Sequence, residues 1–265
     1  MTTPLEATAP SPVLRRDEGG VATLTLNRPA QFNAINGAML DALQTALDAI
    51  ARDTTVRVVV LAGAGRAFCP GHDLKEMLGH STRDFIGDMF RRCCEVMLSI
   101  RRLPQPVVAK VHGIATAAGC QLVAACDLAV AADDARFATS GINFGLFCAT
   151  PGVPVSRNIS QKRAFEMLMT GSFIDAPTAL AWGLLNRVAP PEGLDAAVAE
   201  LVLQLKEKPR AVVAAGKRFF YRQLEETLEE AYQEGSEVIT SNLLSADGQE
   251  GVGAFVEKRK PTWRD

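Results

Sequence analysis

At 265 residues, 48% of them hydrophobic, the chain is long enough to bury a sizeable core, as one large domain or one domain with an appendage. A formal net charge of −2 removes the strongest sequence argument for a nucleic-acid partner. The six cysteines are scattered, mostly inside apolar segments and without a CxxC pair, which suits a reducing compartment and is read as cytoplasmic; no apolar run approaches ~18 residues and the N-terminal residues show no signal pattern, so no membrane partner is expected.

In chain order, residues 1–19 open on a Thr/Pro/Ala-rich stretch and read as a flexible tail. Strand signals follow at Val21–Leu26, Val56–Ala62, Val107–Val111 and Leu128–Ala131, with a shorter one at Arg136–Ala138. The intervening helices are amphipathic: Met39, Leu40, Leu43, Leu47 and Ile50 share a face in Gly37–Ala51, as do Phe85, Met89, Cys93, Val96 and Ile100 in Arg83–Arg102. From Gly193 onward the strand signals give way to helices over Leu194–Lys206, Arg210–Leu224, Thr227–Leu244 and Gln249–Lys258. This shift divides the chain into a tail (1–19), an α/β core (20–192) and a C-terminal helical region (193–265).

Two of the apolar strands end in unusual loops. The run Val58 to Ala62 reads as a strand buried on both faces, and Cys69-Pro70-Gly71-His72 beyond it fits a type II turn, with φ positive at Gly71 and the His72 N–H projecting. The strand Pro106 to Val111 leads into Gly113-Ile-Ala-Thr-Ala-Ala-Gly-Cys-Gln121, whose small residues let a backbone amide at a helix start approach a ligand closely. Taken alone, such a helix start could equally serve tight packing. Together the two loops offer a pair of N–H donors for an oxygen that takes on negative charge.

Other candidates carry less. The His72 ring is read as incidental, with a catalytic imidazole as the alternative, and His80 and His112 as structural. Three histidines without an HExxH or Cys/His cluster give a metal site no support. Cys120 is either a small buried hydrophobe or a thiol acidified by a helix N-terminus. There is no Gly-x-Ser-x-Gly elbow, and Gly63-Ala-Gly65 is too short to argue for a dinucleotide.

Four blocks resemble the crotonase, or enoyl-CoA hydratase/isomerase, family: Leu26-Asn-Arg-Pro-Ala-Gln-Phe-Asn-Ala34, Ala67 to Lys75, Gly113 to Asp127, and Glu250-Gly-Val-Gly-Ala-Phe-Val-Glu-Lys-Arg-Lys260. Within the family, Gly-His-Asp-Leu-Lys-Glu with Ala-Thr-Ala-Ala-Gly-Cys-Gln-Leu-Val-Ala is similar to the enoyl-CoA hydratase domain-containing protein 3 subgroup. The resemblance implies an α/β spiral of ββα units closed by a C-terminal helical region that forms a homotrimer or a dimer of trimers. It implies an acyl-CoA thioester as substrate, with coenzyme A as part of that substrate and no covalently bound cofactor. The His72 and Ala118 amides take the place of the family's oxyanion hole. The two glutamates that hold water in the family's hydratases fall at Gln121 and Gly141, neither of which can transfer a proton at pH 7. A further family position, an aspartate in some isomerases, falls near Ala149. Lys75 and Leu74 match coenzyme A contacts, Phe255 and Lys258 match contacts made from a neighbouring subunit, and Cys148 falls near the pocket wall. Two readings follow: an enzyme that stabilises a thioester enolate for hydration, isomerisation or thioester cleavage with other acid/base groups, or a non-catalytic acyl-CoA-binding or assembly protein.

Overall fold

The computed structural model describes residues 11–264, so most of the Thr/Pro/Ala-rich opening lies outside the described residues. In chain order the elements are β1 (Val13–Glu18), β2 (Val21–Leu26), α1 (Gly37–Arg52), β3 (Val58–Gly63), α2 (Leu74–Gly79), α3 (Arg83–Arg102), β4 (Val107–Val111), β5 (Ile114–Thr116), α4 (Ala118–Ala125), β6 (Leu128–Ala132) and β7 (Arg136–Ala138). There follow α5 (Ala149–Asn158), α6 (Gln161–Thr170), β8 (Ile174–Asp175), α7 (Ala176–Trp182), β9 (Arg187–Ala189), α8 (Leu194–Lys206), α9 (Arg210–Gln223), α10 (Leu228–Leu244) and α11 (Ala246–Val256).

One sheet has the order β1-β2-β3-β4-β6-β9, antiparallel at the β1/β2 edge and parallel elsewhere, and a second has the order β5-β7-β8. Successive segments β4-β5-α4 and β6-β7-α5 each give one strand to each sheet before their helix. The stretch after β3 does the same in reduced form, because Cys69 bridges Ala115 in the second sheet before α2 begins. The result is a spiral of ββα turns, as expected. Every turn passes between the sheets at the same end of the parallel strands, and the two loops singled out above therefore lie side by side.

Strand β3 shows why the parallel strands read as continuous apolar runs. Its Val59 and Leu61 join the main core, while Val58 and Val60 face the other way, onto Leu194, Val198, Leu201 and Val202 of α8. Helix α8 is thus one wall of the core sandwich, and the boundary drawn at 193 cuts through packed side chains. The tail drawn as residues 1–19 also needs correction, since β1 pairs along its length with β2. Its sequence hid this because only Val13 is buried, the other five residues forming an exposed, charged edge.

Helix α9 is fastened to the core by a buried ion pair. Lys217 Nζ lies 2.6 Å from Asp127 Oδ2 and donates to the carbonyls of Ile100 and Gln105, and Tyr221 donates its hydroxyl to Asp127 Oδ1 at 2.8 Å. Burial lowers the Lys217 pKa even with Asp127 beside it.

Candidate functional site

The loop after β3 is held from both sides. Phe68 and Cys69 donate to the carbonyls of His112 and Ile114, and Thr116 donates to the Cys69 carbonyl at 3.0 Å. On the opposite side Ile35 brackets His72, donating to Gly71 O and accepting from Asp73 N, each at 2.8 Å. Asn33, fully buried, donates to Ala64 O and Ala67 O, and Arg28 bonds to Asp73 at 3.0 Å. Gly71 has φ of 106°, as the turn reading requires, but the bond that would close a type II turn is absent. The Cys69 carbonyl accepts from Thr116 N instead, and the His72 N–H takes no part in the turn.

Ala117, at φ 49° and ψ −119°, occupies a region unfavourable for a residue with a side chain. Its own N–H is fixed to Ala138 O at 3.0 Å, and its ψ sets the plane of the following amide, that of Ala118, at the start of α4. Among the described residues, neither the His72 nor the Ala118 N–H donates to a hydrogen bond. The two loops touch: a Cβ built on Gly71 would lie 3.4 Å from Ala118 N and 3.0 Å from Ala117 Cβ, and one on Gly119 only 2.0 Å from the Cys69 carbonyl oxygen. The small residues of this region thus allow close approach of two backbones, and the amides they bring together line one cavity of about 520 Å³.

That cavity is mainly apolar, walled by Leu74, Met77, Phe90, Phe144, Leu146 and Phe147. Of the expected site residues, His72, Leu74, Ala118, Gly141 and Cys148 meet in it, as does Ala149. The His72 ring stands edge-on to Phe90, and its Nε2 is buried without a partner. Burial pulls its pKa down to about 4, so the imidazole is neutral at pH 7. Cys148 is buried and accepts a hydrogen bond from Gly141 N at 3.3 Å; burial raises its thiol pKa, and that bond opposes the rise. Cys120 is a buried hydrophobe, its thiol pushed up to about 12 by burial.

Four of the expected site residues lie outside this cavity, two of them, Phe255 and Lys258, being expected at the site of a neighbouring subunit and not at their own. Gln121, only 2% exposed, is not in its lining and faces a neighbouring cavity of about 570 Å³ bounded by α3, α5 and α9. Phe255 is 84% exposed on α11 and Lys258 is exposed just beyond it, neither near the amides of its own chain. Lys75 is exposed in the first turn of α2, its N–H capped by Asp73. Sequence reading missed Thr150, which lines both cavities, and Ser140, whose hydroxyl pairs with that of Thr116 at 2.8 Å in the wall of the first. Thr150 stands in the segment Gly145-Leu-Phe-Cys-Ala-Thr150, from which only Cys148 and Ala149 were singled out, and Ser140 sits in no pattern that marks it. Among the described residues, no group of three or more His, Cys, Asp or Glu side chains is placed to hold a metal ion, and no helix is long and apolar enough to cross a membrane.

A spiral of ββα turns that brings two unpaired amides together over an apolar cavity defines the crotonase fold class. The family model for enoyl-CoA hydratase/isomerase matches residues 16–265, and the chain belongs to that family. It is 44% identical over 248 residues, 94% of this chain and 84% of the relative, to a Xenopus laevis protein named enoyl-CoA hydratase domain-containing protein 3, mitochondrial. Among solved structures, the human enoyl-CoA hydratase domain-containing protein 3 superposes with a TM-score of 0.92 at 43% identity, over 95% of this chain and all of that one (100%). An enoyl-CoA hydratase from Mycobacterium smegmatis superposes with a TM-score of 0.94 at 56% identity, over 96% of this chain and 99% of that one.

Proposed function

We propose that the protein binds an acyl-CoA thioester and stabilises its enolate, with the thioester oxygen between the His72 and Ala118 amides and the acyl group in the apolar cavity. One observation carries this reading: two residues that line one cavity, His72 and Ala118, each have a backbone N–H without a partner, in a region where the chain otherwise satisfies its amides closely. The reaction is not ordinary hydration by a carboxylate pair, since neither Gln121 nor Gly141 can exchange a proton and Ala149 adds none. Isomerisation, thioester cleavage or binding without turnover remain within the reach of the cradle.

Coenzyme A, as part of the substrate, would extend past Leu74 toward the ammonium of Lys75. Phe255 and Lys258 would reach the nucleotide of a neighbouring protomer in a homotrimer or dimer of trimers. The exposed apolar side chains of α10 and α11, among them Leu228, Tyr232, Ile239, Phe255 and Val256, support such an assembly. The Xenopus relative is named mitochondrial, so the cytoplasmic expectation is not carried further; six unpaired cysteines support a reducing compartment.

The test is titration calorimetry with butyryl-CoA and free coenzyme A, alongside turnover of crotonyl-, hydroxyacyl- and malonyl-type thioesters. Binding of butyryl-CoA that is tighter than that of coenzyme A is expected. No binding of either would refute the reading.

A further inference from the structure

Proton transfer on a bound thioester needs a side chain that can hold a proton, and the cavity with the His72 and Ala118 amides has few. Among the described residues that line it there is no Asp, Glu, Lys, Arg or Tyr. The Ser140 hydroxyl is engaged with that of Thr116, and the Thr150 hydroxyl does not ionise near neutral pH. The His72 ring is neutral, edge-on to Phe90, with its Nε2 buried. The group that remains is the thiol of Cys148, whose side chain packing alone would explain were it not for where the sulfur sits.

Strands β5 and β7 fix that place. They pair so that Thr116 stands opposite Ala138; the Ala118 amide follows the first strand and Gly141 follows the second. The two strand ends stay tied together, since Ala117 N donates to Ala138 O at 3.0 Å and the Thr116 and Ser140 hydroxyls lie 2.8 Å apart. Gly141 N then donates to Cys148 Sγ at 3.3 Å. Two hydrogen bonds and one peptide unit thus join the sulfur to the strand that presents the Ala118 amide. Cys120, two residues along α4 from the start of that helix, feels it: after burial, the Cys148 thiol is the cause that raises the Cys120 pKa. The two amides without partners are an independent sign that an acceptor oxygen enters this cavity. In a thioester whose carbonyl rests on them, the second acyl carbon is one bond from the carbonyl carbon, and its proton is the one that enolate formation removes.

We infer that Cys148 is a catalytic residue that removes and returns the proton on the second acyl carbon. In the forward step the thiolate takes the proton: the carbon–hydrogen bond breaks, an S–H bond forms, and the electron pair passes to the thioester oxygen on the two amides. The reverse step gives a proton back to carbon and restores the thiolate. The thiol is 7% exposed, so its proton exchanges with solvent between the two steps. The inference rests on the acyl-CoA reading above and supplies the acid/base group which that reading lacks; a thiol that moves a proton at carbon activates no water, so it does not restore hydration. Burial raises the Cys148 pKa against the Gly141 N–H, and the titratable groups set against it, Cys120 on α4 and His72 in the same cavity, are uncharged at pH 7. The thiolate is therefore the minor form at pH 7, and the rate should climb with pH.

Exchange of butyryl-CoA in deuterium oxide tests it, with the full chain as catalyst, label at the second carbon read by mass spectrometry and proton NMR, and affinity measured by calorimetry in parallel. One deuterium is expected to enter well ahead of a second, because a thiol on one side of the carbon reaches one of its two hydrogens. The rate should rise about tenfold per pH unit between pH 7 and 9, following the thiolate fraction. Cys148→Ala should lower exchange at least about 100-fold while butyryl-CoA still binds. Cys148→Ser, whose hydroxyl can still accept from Gly141 N, should be lowered as far and melt with the parent protein, which separates loss of the thiol from collapse of the loop. Cys94→Ser, at a thiol outside this cavity, should exchange as the parent does. Absence of exchange in a parent protein that binds butyryl-CoA, a rate independent of pH over that range, two deuteriums entering at equal rates, or exchange that persists in both Cys148 variants overturns the inference and leaves the acyl-CoA reading standing. Failure of butyryl-CoA to bind overturns both.

Discussion

The Cys148 thiol occupies the space that a side chain at position 141 would need. A Cβ built on Gly141 would lie 2.8 Å from Cys148 Sγ and 2.4 Å from the Leu146 carbonyl oxygen, although the backbone there is in an ordinary conformation. A glutamate at this position, to which the resemblance assigns the second carboxylate, would therefore need the surrounding loop to move. The loop from 141 to 148 is tied to itself: Leu146 N donates to Gly141 O at 3.0 Å, and Gly141 N donates to Cys148 Sγ. Gly141→Ala should destabilise the protein by about 1–3 kcal/mol through overpacking, and Gly141→Glu by more. Urea unfolding of Gly141→Ala checks this. An unchanged midpoint would show that the loop yields freely, and a glutamate could then be restored there.

Gly71→Ala puts a methyl 3.0 Å from Ala117 Cβ and forces a φ of 106° on a residue with a side chain. The expected cost is about 1–3 kcal/mol of stability. Because the strain sits between the two donors, butyryl-CoA affinity should fall at least tenfold, while Gly79→Ala, with open space at its Cβ, should change neither quantity. Loss of stability without loss of affinity would mean that the amides do not hold the thioester.

Much of this was legible in the sequence, for a physical reason. Strands β2 and β4 and helices α3 and α8 were read with their observed bounds because a buried strand and an amphipathic helix impose their own periods on the chain. The close approach of the two loops was legible because it demands small residues, and Gly71, Gly113 and Gly119 are where a Cβ has little or no room. The direction of Gln121 was not legible. It depends on the second cavity, whose far wall is α9, and α9 is set there by Lys217 and Tyr221 on Asp127 and by Arg101 over the Tyr221 ring at 4.4 Å. Contacts separated by about a hundred residues leave no local pattern. Strand β1 was hidden for the opposite reason, its single buried residue giving no alternation to detect.

The Lys217–Asp127 pair should be costly to break. Its side chains are 7% and 13% exposed, and removal of the ammonium leaves Asp127 with only the Tyr221 hydroxyl and Val107 N–H, and the carbonyls of Ile100 and Gln105 without this donor. Lys217→Met is expected to cost about 3–5 kcal/mol. Urea unfolding gives the loss, and hydrogen exchange should show α9 opening ahead of the sheet. A loss below about 1 kcal/mol would mean that α9 is held by its apolar contacts alone.

The depressed pKa of His72 makes a signed statement about pH. The folded protein holds the ring neutral down to about pH 4, whereas the unfolded chain takes up a proton near 6.5. Stability from this group is fully present above pH 6.5 and is lost as pH falls from there to 4, with a total of about 3 kcal/mol. Unfolding free energies at pH 7.5, 5.5 and 4.5 should decline less in His72→Phe than in the parent protein. The substitution keeps the backbone amide, so acyl-CoA binding should survive it. A turnover that disappears in His72→Phe while binding persists would instead give the imidazole a catalytic part.

Hydration of crotonyl-CoA should be slow, and slow in a particular way. Each positioned acid/base group contributes about 10²–10⁴-fold, and both family positions lack one, so the rate should lie at least 10⁴-fold below that of an intact glutamate pair. Whatever rate remains should come from the oxyanion amides and should not change in Gln121→Ala, because an amide moves no proton. Gln121→Glu supplies a carboxylate that faces the neighbouring cavity, and the position at Gly141 is closed by Leu146 O and Cys148 Sγ, so at most one group's share of the rate can return. Steady-state kinetics with the parent and the two variants decides the matter. Fast hydration in Gln121→Ala would reveal a base elsewhere in the cavity. Restoration of the full rate by Gln121→Glu alone would show that one carboxylate suffices and that the closed position at Gly141 is not what limits this protein.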